Sequence, residues 1–207
     1  NQQAATLGLK SRGGIPPRSP GGGGQSVLFA AGSRIGTALT RPWRVVDEKG
    51  LVTLVEAARA EDVRRVVFLS SLGVGSSRRG MPRWACWVVL RWSIRAKERA
   101  EAVLRDSGLE CTIFRPGWLT DDPASGEIVL AERSETITGS VSRADVARLM
   151  VGALFTPEAS NRTFEVVDSE SVRRDDPGHH VSVEWSYERP SAVAVSDSSV
   201  RSGGSQR

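Results

Sequence analysis

The sequence predicts an α/β domain, a doubly wound parallel sheet with helices on both faces. Two observations carry the prediction. Strand-like and helix-like patterns alternate along the middle of the chain. Within that alternation, Val66 to Leu119 reads as an apolar strand ending in two serines (VVFLSS), an arginine-rich helix, and a second strand running into TIFRPGWLT. Strand, crossover helix and strand in that order make a right-handed βαβ unit, whose polar groups collect at the carboxyl ends of the strands. That edge is where such sheets bind ligands.

The elements follow in order. Val27 to Ala31 (VLFAA) is a short apolar run closed by Gly32, the pattern of a strand buried on both faces. Trp43 to Ala60 has apolar residues at Val46, Leu51, Leu54, Val55 and Ala58, a helical period. Val66 to Ser70 is the next strand. A long helical stretch runs from about Pro82 to Ser107, where Gly108 fits a carboxyl cap, and Cys111 to Phe114 is again a strand. Thr136 to Val141 reads as a strand. Ser142 opens a helix through Phe155, with Asp145 three residues on in a capping-box-like arrangement. Pro157 ends that helix, and Thr163 to Val167 is a last strand.

Composition divides the chain into three parts. Residues 11 to 24 (SRGGIPPRSPGGGG) have linker composition, and beyond Val167 the sequence is rich in Ser, Gly and charge without a sustained period. The expected organisation is a disordered or linker flank over 1–25, a folded domain over 26–168 and a disordered tail over 169–207. The first 42 residues contain five basic side chains and no acidic one, so the basic balance is largely a property of that flank. A nucleic-acid surface requires a basic stripe on a folded face, and none is legible here. Cys86 and Cys111 are too isolated for a metal knuckle or redox pair. The adjacent His179 and His180 point in different directions in any regular element, so no metal site is expected. No window reaches the length of an apolar membrane span, no secretory signal opens the chain, and a cytoplasmic location is expected.

The wording and order of six segments resemble the atypical short-chain dehydrogenase/reductases, in particular the NAD(P)H-binding group of NmrA-like redox sensors and biliverdin/flavin reductase-like proteins. The segments are FAAG, VDEKGLVTLVEAA, VVFLSSLG, AKERAEAVLRDSGLECTIFRPGWLT, SRADVARLMVGAL and TFEVV, covering about Val27 to Val167. The resemblance implies a Rossmann-like fold and a dinucleotide cofactor, NADP or NAD, with NADPH preferred. It also implies cofactor contacts at Ala31, Gly32, Ser70, Ser71, Lys97, Pro116, Gly117, Trp118 and Leu119, the last four in a loop over the nicotinamide.

Two features of the family pattern are missing. Its members open with a strand and a glycine-rich turn whose amides hold the cofactor pyrophosphate. Nothing before residue 25 fits that strand, and AAGSRIG at 30–36 leaves too few residues before VDEKG for the helix and two strands that should follow, so FAAG reads as the fourth strand. The chain is therefore expected to lack the first strands and the glycine turn, by truncation or by replacement with unrelated sequence. The second absence is chemical. The family's reductases place a Tyr four residues before the Lys, and here that position is Ser93, while the sole tyrosine, Tyr187, lies in the tail. A serine hydroxyl is too weak an acid to take the place of the phenol, so Tyr-dependent carbonyl reduction is disfavoured and the catalytic residues are unassigned. Hydride transfer to a flavin-like acceptor, which needs no such acid, is compatible with the sequence.

Each candidate also has a plainer reading. Lys97, one of three lysines among 25 arginines, is a compact amine between two strand-end loops or a surface lysine on a solvated face. Ser70 and Ser71 are ligand hydroxyls or turn caps, and Pro116-Gly117 is a cofactor loop or an ordinary turn. Trp84, Trp87 and Trp92 pack the helix or form a contact surface, which with an open sheet edge is the expected route to self-association.

Overall fold

The computed structural model describes residues 25–31, 46–75, 91–173 and 177–187, without the side chains of 46–49 and 91–93. Seven strands are described: β1 Gln25–Phe29, β2 Val63–Leu69, β3 Glu110–Pro116, β4 Trp118–Thr120, β5 Ile128–Ala131, β6 Ser140–Ser142 and β7 Arg162–Asp168. The helices are α1 Val46–Ala60, α2 Arg91–Arg105 and α3 Arg143–Phe155. The central sheet has the order β1-β2-β3-β7-β5, parallel except for β5, which runs antiparallel to β7. This is a mixed α/β, Rossmann-like fold. Among the described residues β1 has one neighbour, β2, and forms an edge of the sheet.

Alternation along the strands sorts the core into two layers. On one face Val66, Phe68, Cys111 and Ile113 pack against Leu51, Val55 and Ala58 of α1 and Ala100 and Leu104 of α2. On the other, Val67, Phe114, Phe164 and Val166 pack against Val146, Leu149, Met150 and Ala153 of α3. Burying each large apolar side chain contributes about 1.5–3 kcal/mol, so this double layer is what holds the strands parallel. The start of α3 matches expectation: Ser142 Oγ accepts from the Asp145 amide, a cap that contributes about 1 kcal/mol. Asp145 in turn accepts from the amides of Ser125 and Gly126, which fastens the loop before β5 to the helix start.

The structure departs from the sequence reading in three places. The run at Thr136–Val141 contributes only the short β6, paired with β4. β5 was not foreseen, because GEIVLAE is brief and flanked by charge. The third departure concerns the tail. Residues 177–187 are not a solvated extension: Val181 N donates to Leu130 O at 3.0 Å and Ser186 N to Thr156 Oγ1 at 2.9 Å. Val181, Val183 and Trp185 alternate with polar residues and present one apolar face, and Trp185 stands 5.9 Å from the rings of both Phe114 and Phe164. Gly152 makes room, since a Cβ there would lie 3.3 Å from Trp185 and Tyr187. Residues 1–24 and 188–207, like Gly32, Trp84 and Trp87, lie outside the described residues.

Candidate functional site

The carboxyl edge of the parallel sheet is shaped by the ends of β2 and β3. The ladder between them continues past the strands, with Ser70 N donating to Phe114 O at 2.7 Å and Leu72 N to Pro116 O at 2.9 Å. The backbone at Ser71 and Leu72 is thereby held beside the turn that follows β3. Lys97 reaches this edge from α2. Its Nζ donates to the carbonyl of Leu69 at 3.1 Å and lies 5.6 Å from the Phe68 ring centroid. The amine is therefore half-buried at a strand end, which removes the reading of Lys97 as a solvated surface cation.

The turn after β3 is built by glycine. Gly117 N donates to Val166 O at 2.8 Å and Trp118 N to Gly139 O at 3.0 Å, which carries the chain across the end of β7 into β4. A Cβ at Gly117 would stand 2.3 Å from Gly139 O, closer than any side-chain atom tolerates. Gly117→Ala is accordingly expected to cost about 1–3 kcal/mol through displaced backbone, measured by urea denaturation. A variant as stable as the wild type would contradict this close approach.

The predicted contacts separate into groups. Ser71, Lys97, Pro116, Gly117 and Trp118 all lie at or just past the carboxyl ends of β2 and β3, with Trp118 66% exposed. Ala31 is exposed just past the end of β1. Leu119 packs partly into the α3-side core, and Ser70 points the other way, under α2. Ser70 is 3% exposed, and its hydroxyl has no partner of ordinary hydrogen-bond geometry, although it faces Glu101 closely enough to help hold that carboxyl charged. Of Trp92, only the backbone, in α2, is described.

Beneath the edge lies an ionic cluster that sequence reasoning missed. Arg115 binds Glu101 through two nitrogens, Nε at 3.0 Å and Nη2 at 2.7 Å, and Glu165 through Nη1 at 3.0 Å. All three side chains are buried, and Arg105 adds a second cation on Glu101 at 2.8 Å. Burial pushes Glu101 toward its neutral form, but the bidentate Arg115 outweighs it and holds the carboxyl below its ordinary value. For Glu165 burial prevails over Arg115 and the carboxyl is raised. Gly75, at φ 62°, lies against Arg115, where a Cβ would be 2.9 Å from Nη2. The cluster thus ties α2, β3, β7 and the loop after β2 into one support, with Lys97 one helical turn before Glu101. The available signal was Glu165 itself, an acid inside the apolar strand TFEVV.

A Rossmann-like sheet with a lysine and a glycine-built turn at its carboxyl edge is an arrangement suited to a nucleotide ligand. Comparison with known proteins gives the family. Residues 23–157 match the model of the NAD(P)H-binding family, and the chain belongs to it. It is 36% identical over 146 residues to an uncharacterized chloroplastic protein of Arabidopsis thaliana, covering 69% of this chain and 52% of that one. It is 32% identical over 126 residues to sanguinarine reductase of Eschscholzia californica, covering 58% of this chain and 44% of that one. Among solved structures, a putative NAD-dependent epimerase/dehydratase from Bacillus halodurans superposes with TM-score 0.61 at 27% identity, over 72% of this chain and 66% of that chain. The chain spans about half the length of the two curated relatives it matches here.

Proposed function

We propose that the carboxyl edge around Lys97 binds the nicotinamide and ribose half of NADPH, and that the protein works as a redox sensor or a reductase of low specificity. The observation that carries the reading is the placement of Lys97 Nζ at the Leu69 carbonyl, at the carboxyl end of β2. The residues fit such a ligand: an ammonium at a strand end suits ribose hydroxyls, and Trp118, 66% exposed at the turn, offers a face to a flat ring. The dinucleotide, when bound, supplies the hydride. The chain's part is to orient it, because Ser93 stands where a proton-donating Tyr would be needed and Tyr187 packs on Gly152 of α3. An acceptor that takes hydride without a delivered proton, of the flavin type, is the substrate class this arrangement serves best.

Lys97→Met is expected to weaken NADPH binding by more than about 1 kcal/mol, or at least about fivefold, the loss of a charge-assisted hydrogen bond. Calorimetric titration of folded variant and wild type decides it, and superimposable curves would overturn the assignment. A second reading, favoured by the open flank of β1 and the missing acid, is a non-catalytic interaction protein that keeps the fold.

A further inference from the structure

Lys97 is held at the carboxyl edge through one peptide group. Its Nζ donates to the carbonyl of Leu69 at 3.1 Å, and the amide of that same peptide, Ser70 N, donates to Phe114 O at 2.7 Å. The next residue of β3 is Arg115, which binds Glu101 through Nε at 3.0 Å and Nη2 at 2.7 Å. Glu101 stands on α2 one helical turn after Lys97. Residues four apart on a helix share a face, so the path returns to where it began. α2, β2 and β3 are thus joined in a closed ring that includes the ammonium.

A buried ion pair contributes little net stability compared with apolar side chains of the same volume, because two charges must leave water. What it fixes is geometry: the planar fork of Arg115 admits a narrow range of orientations of the Glu101 carboxylate. Glu101 is fully buried, whereas Lys97 is half-buried on a flexible four-carbon stem. The rigid member of the pair therefore lies directly beneath the adaptable one. The Ser70 hydroxyl, also buried, has no partner of ordinary geometry and faces Glu101. The loop that follows closes on the same arginine, since a Cβ at Gly75 would stand 2.9 Å from Arg115 Nη2.

We propose that Glu101, held by Arg115, is a positioning residue for the dinucleotide: it touches no ligand, and it fixes the Leu69 to Ser70 peptide and the Lys97 ammonium that the ligand meets. This rests on Lys97 as the contact to the nicotinamide ribose. Ser70 acts in the same way from beneath the edge, and of the two serines Ser71 alone is left to face the ligand.

The test uses the 207-residue chain with carbon-13-labelled lysine and follows the Lys97 side-chain signal, which Lys97→Met identifies by its loss. Glu101→Gln keeps the shape of the side chain and removes its charge. Without cofactor it should displace the Lys97 signal, which the Phe68 ring 5.6 Å away makes sensitive to position. Val146→Ala, which loosens the α3 face, should leave that signal in place. NADPH affinity, read from amide shifts, should fall about threefold or more in Glu101→Gln, and by less than about 1.5-fold when the same change is made in Lys97→Met, because residues that act as a unit are not additive. Ser70→Ala removes one hydroxyl and no charge; it should act in the same direction more weakly, and it replaces Glu101→Gln if that variant does not fold. An unmoved Lys97 signal, or affinity losses that simply add to that of Lys97→Met, would overturn the proposal. Wild-type affinity in Lys97→Met is a different result: it overturns the edge as the dinucleotide site, and this role with it, whatever the signal does in Glu101→Gln.

Discussion

Arg115→Met is expected to lose about 3–5 kcal/mol of folding stability, a large part of the margin that a domain of this size possesses. The loss comes from what remains rather than from what is removed. Glu101 and Glu165 are both fully buried, and Arg115 supplies three of the contacts that compensate them. Without it Glu101 keeps one cation, Arg105, with the Ser70 hydroxyl nearby, and Glu165 keeps no cation among the described residues. The pH dependence has a definite sign. In the wild type, Glu101 is held below its ordinary value, so its contribution is present above that value and is lost as pH falls through the folded pKa. Glu165 is raised, so it acts in the opposite sense and costs stability as pH rises above its ordinary value. Removing Arg115 makes both carboxyls behave like Glu165. The deficit of the variant should therefore be greatest near pH 7 and shrink toward about pH 4–5, where protonation relieves both. Urea denaturation across that range is the measurement. A loss below about 1 kcal/mol at pH 7 would show that the cluster is not a support of the fold.

The second large effect is expected in dinucleotide affinity. On the proposed placement, Lys97, Ser71 and the turn at Pro116–Trp118 would contact one half of the ligand only. A pyrophosphate is held by amides at a glycine-rich turn between a first strand and its helix, and no such unit is found among the described residues. Three missing charge-assisted hydrogen bonds, each about 1.5–3 kcal/mol, correspond to a weakening of roughly a thousandfold or more. With contacts to the nicotinamide and ribose half alone, NADPH is accordingly expected to bind the 207-residue chain at millimolar strength. Micromolar binding in a calorimetric titration of this chain would contradict it.

Much of the fold was legible because the strong periods were long. The apolar face of α1 is buried at Leu51, Val55 and Ala58, the Ser142 cap forms with Asp145, and the strands of the βαβ unit differ from expectation only by a few residues at their ends. What escaped was short or depended on tertiary context. β5 spans four residues, and VSVEW carries only three apolar side chains, which become a strap because α3 exposes a groove at Gly152. Lys97 could be nominated from its place between two strand ends, but its direction is set by where α2 crosses β2, which no local pattern encodes. Ser70 and Ser71 were equivalent in the sequence and became opposites in the sheet, since alternation buries the first under α2 and leaves the second at the edge. The Glu101–Arg115–Glu165 cluster was invisible for the same reason: its members lie 14 and 50 residues apart, and only the register of β3 against β7 brings them together.

The central claim is that the nicotinamide half of the cofactor sits at the carboxyl edge around Lys97. Amide chemical-shift mapping tests it at the affinity expected, by adding NADPH to the nitrogen-15-labelled chain up to about 5 mM, where a millimolar site is substantially filled. The account predicts that the largest shifts cluster at Ser70 to Leu72, Lys97, Gly117 and Trp118, and that Lys97→Met reduces them. Largest shifts elsewhere on the domain, or an identical response from the variant, would contradict it.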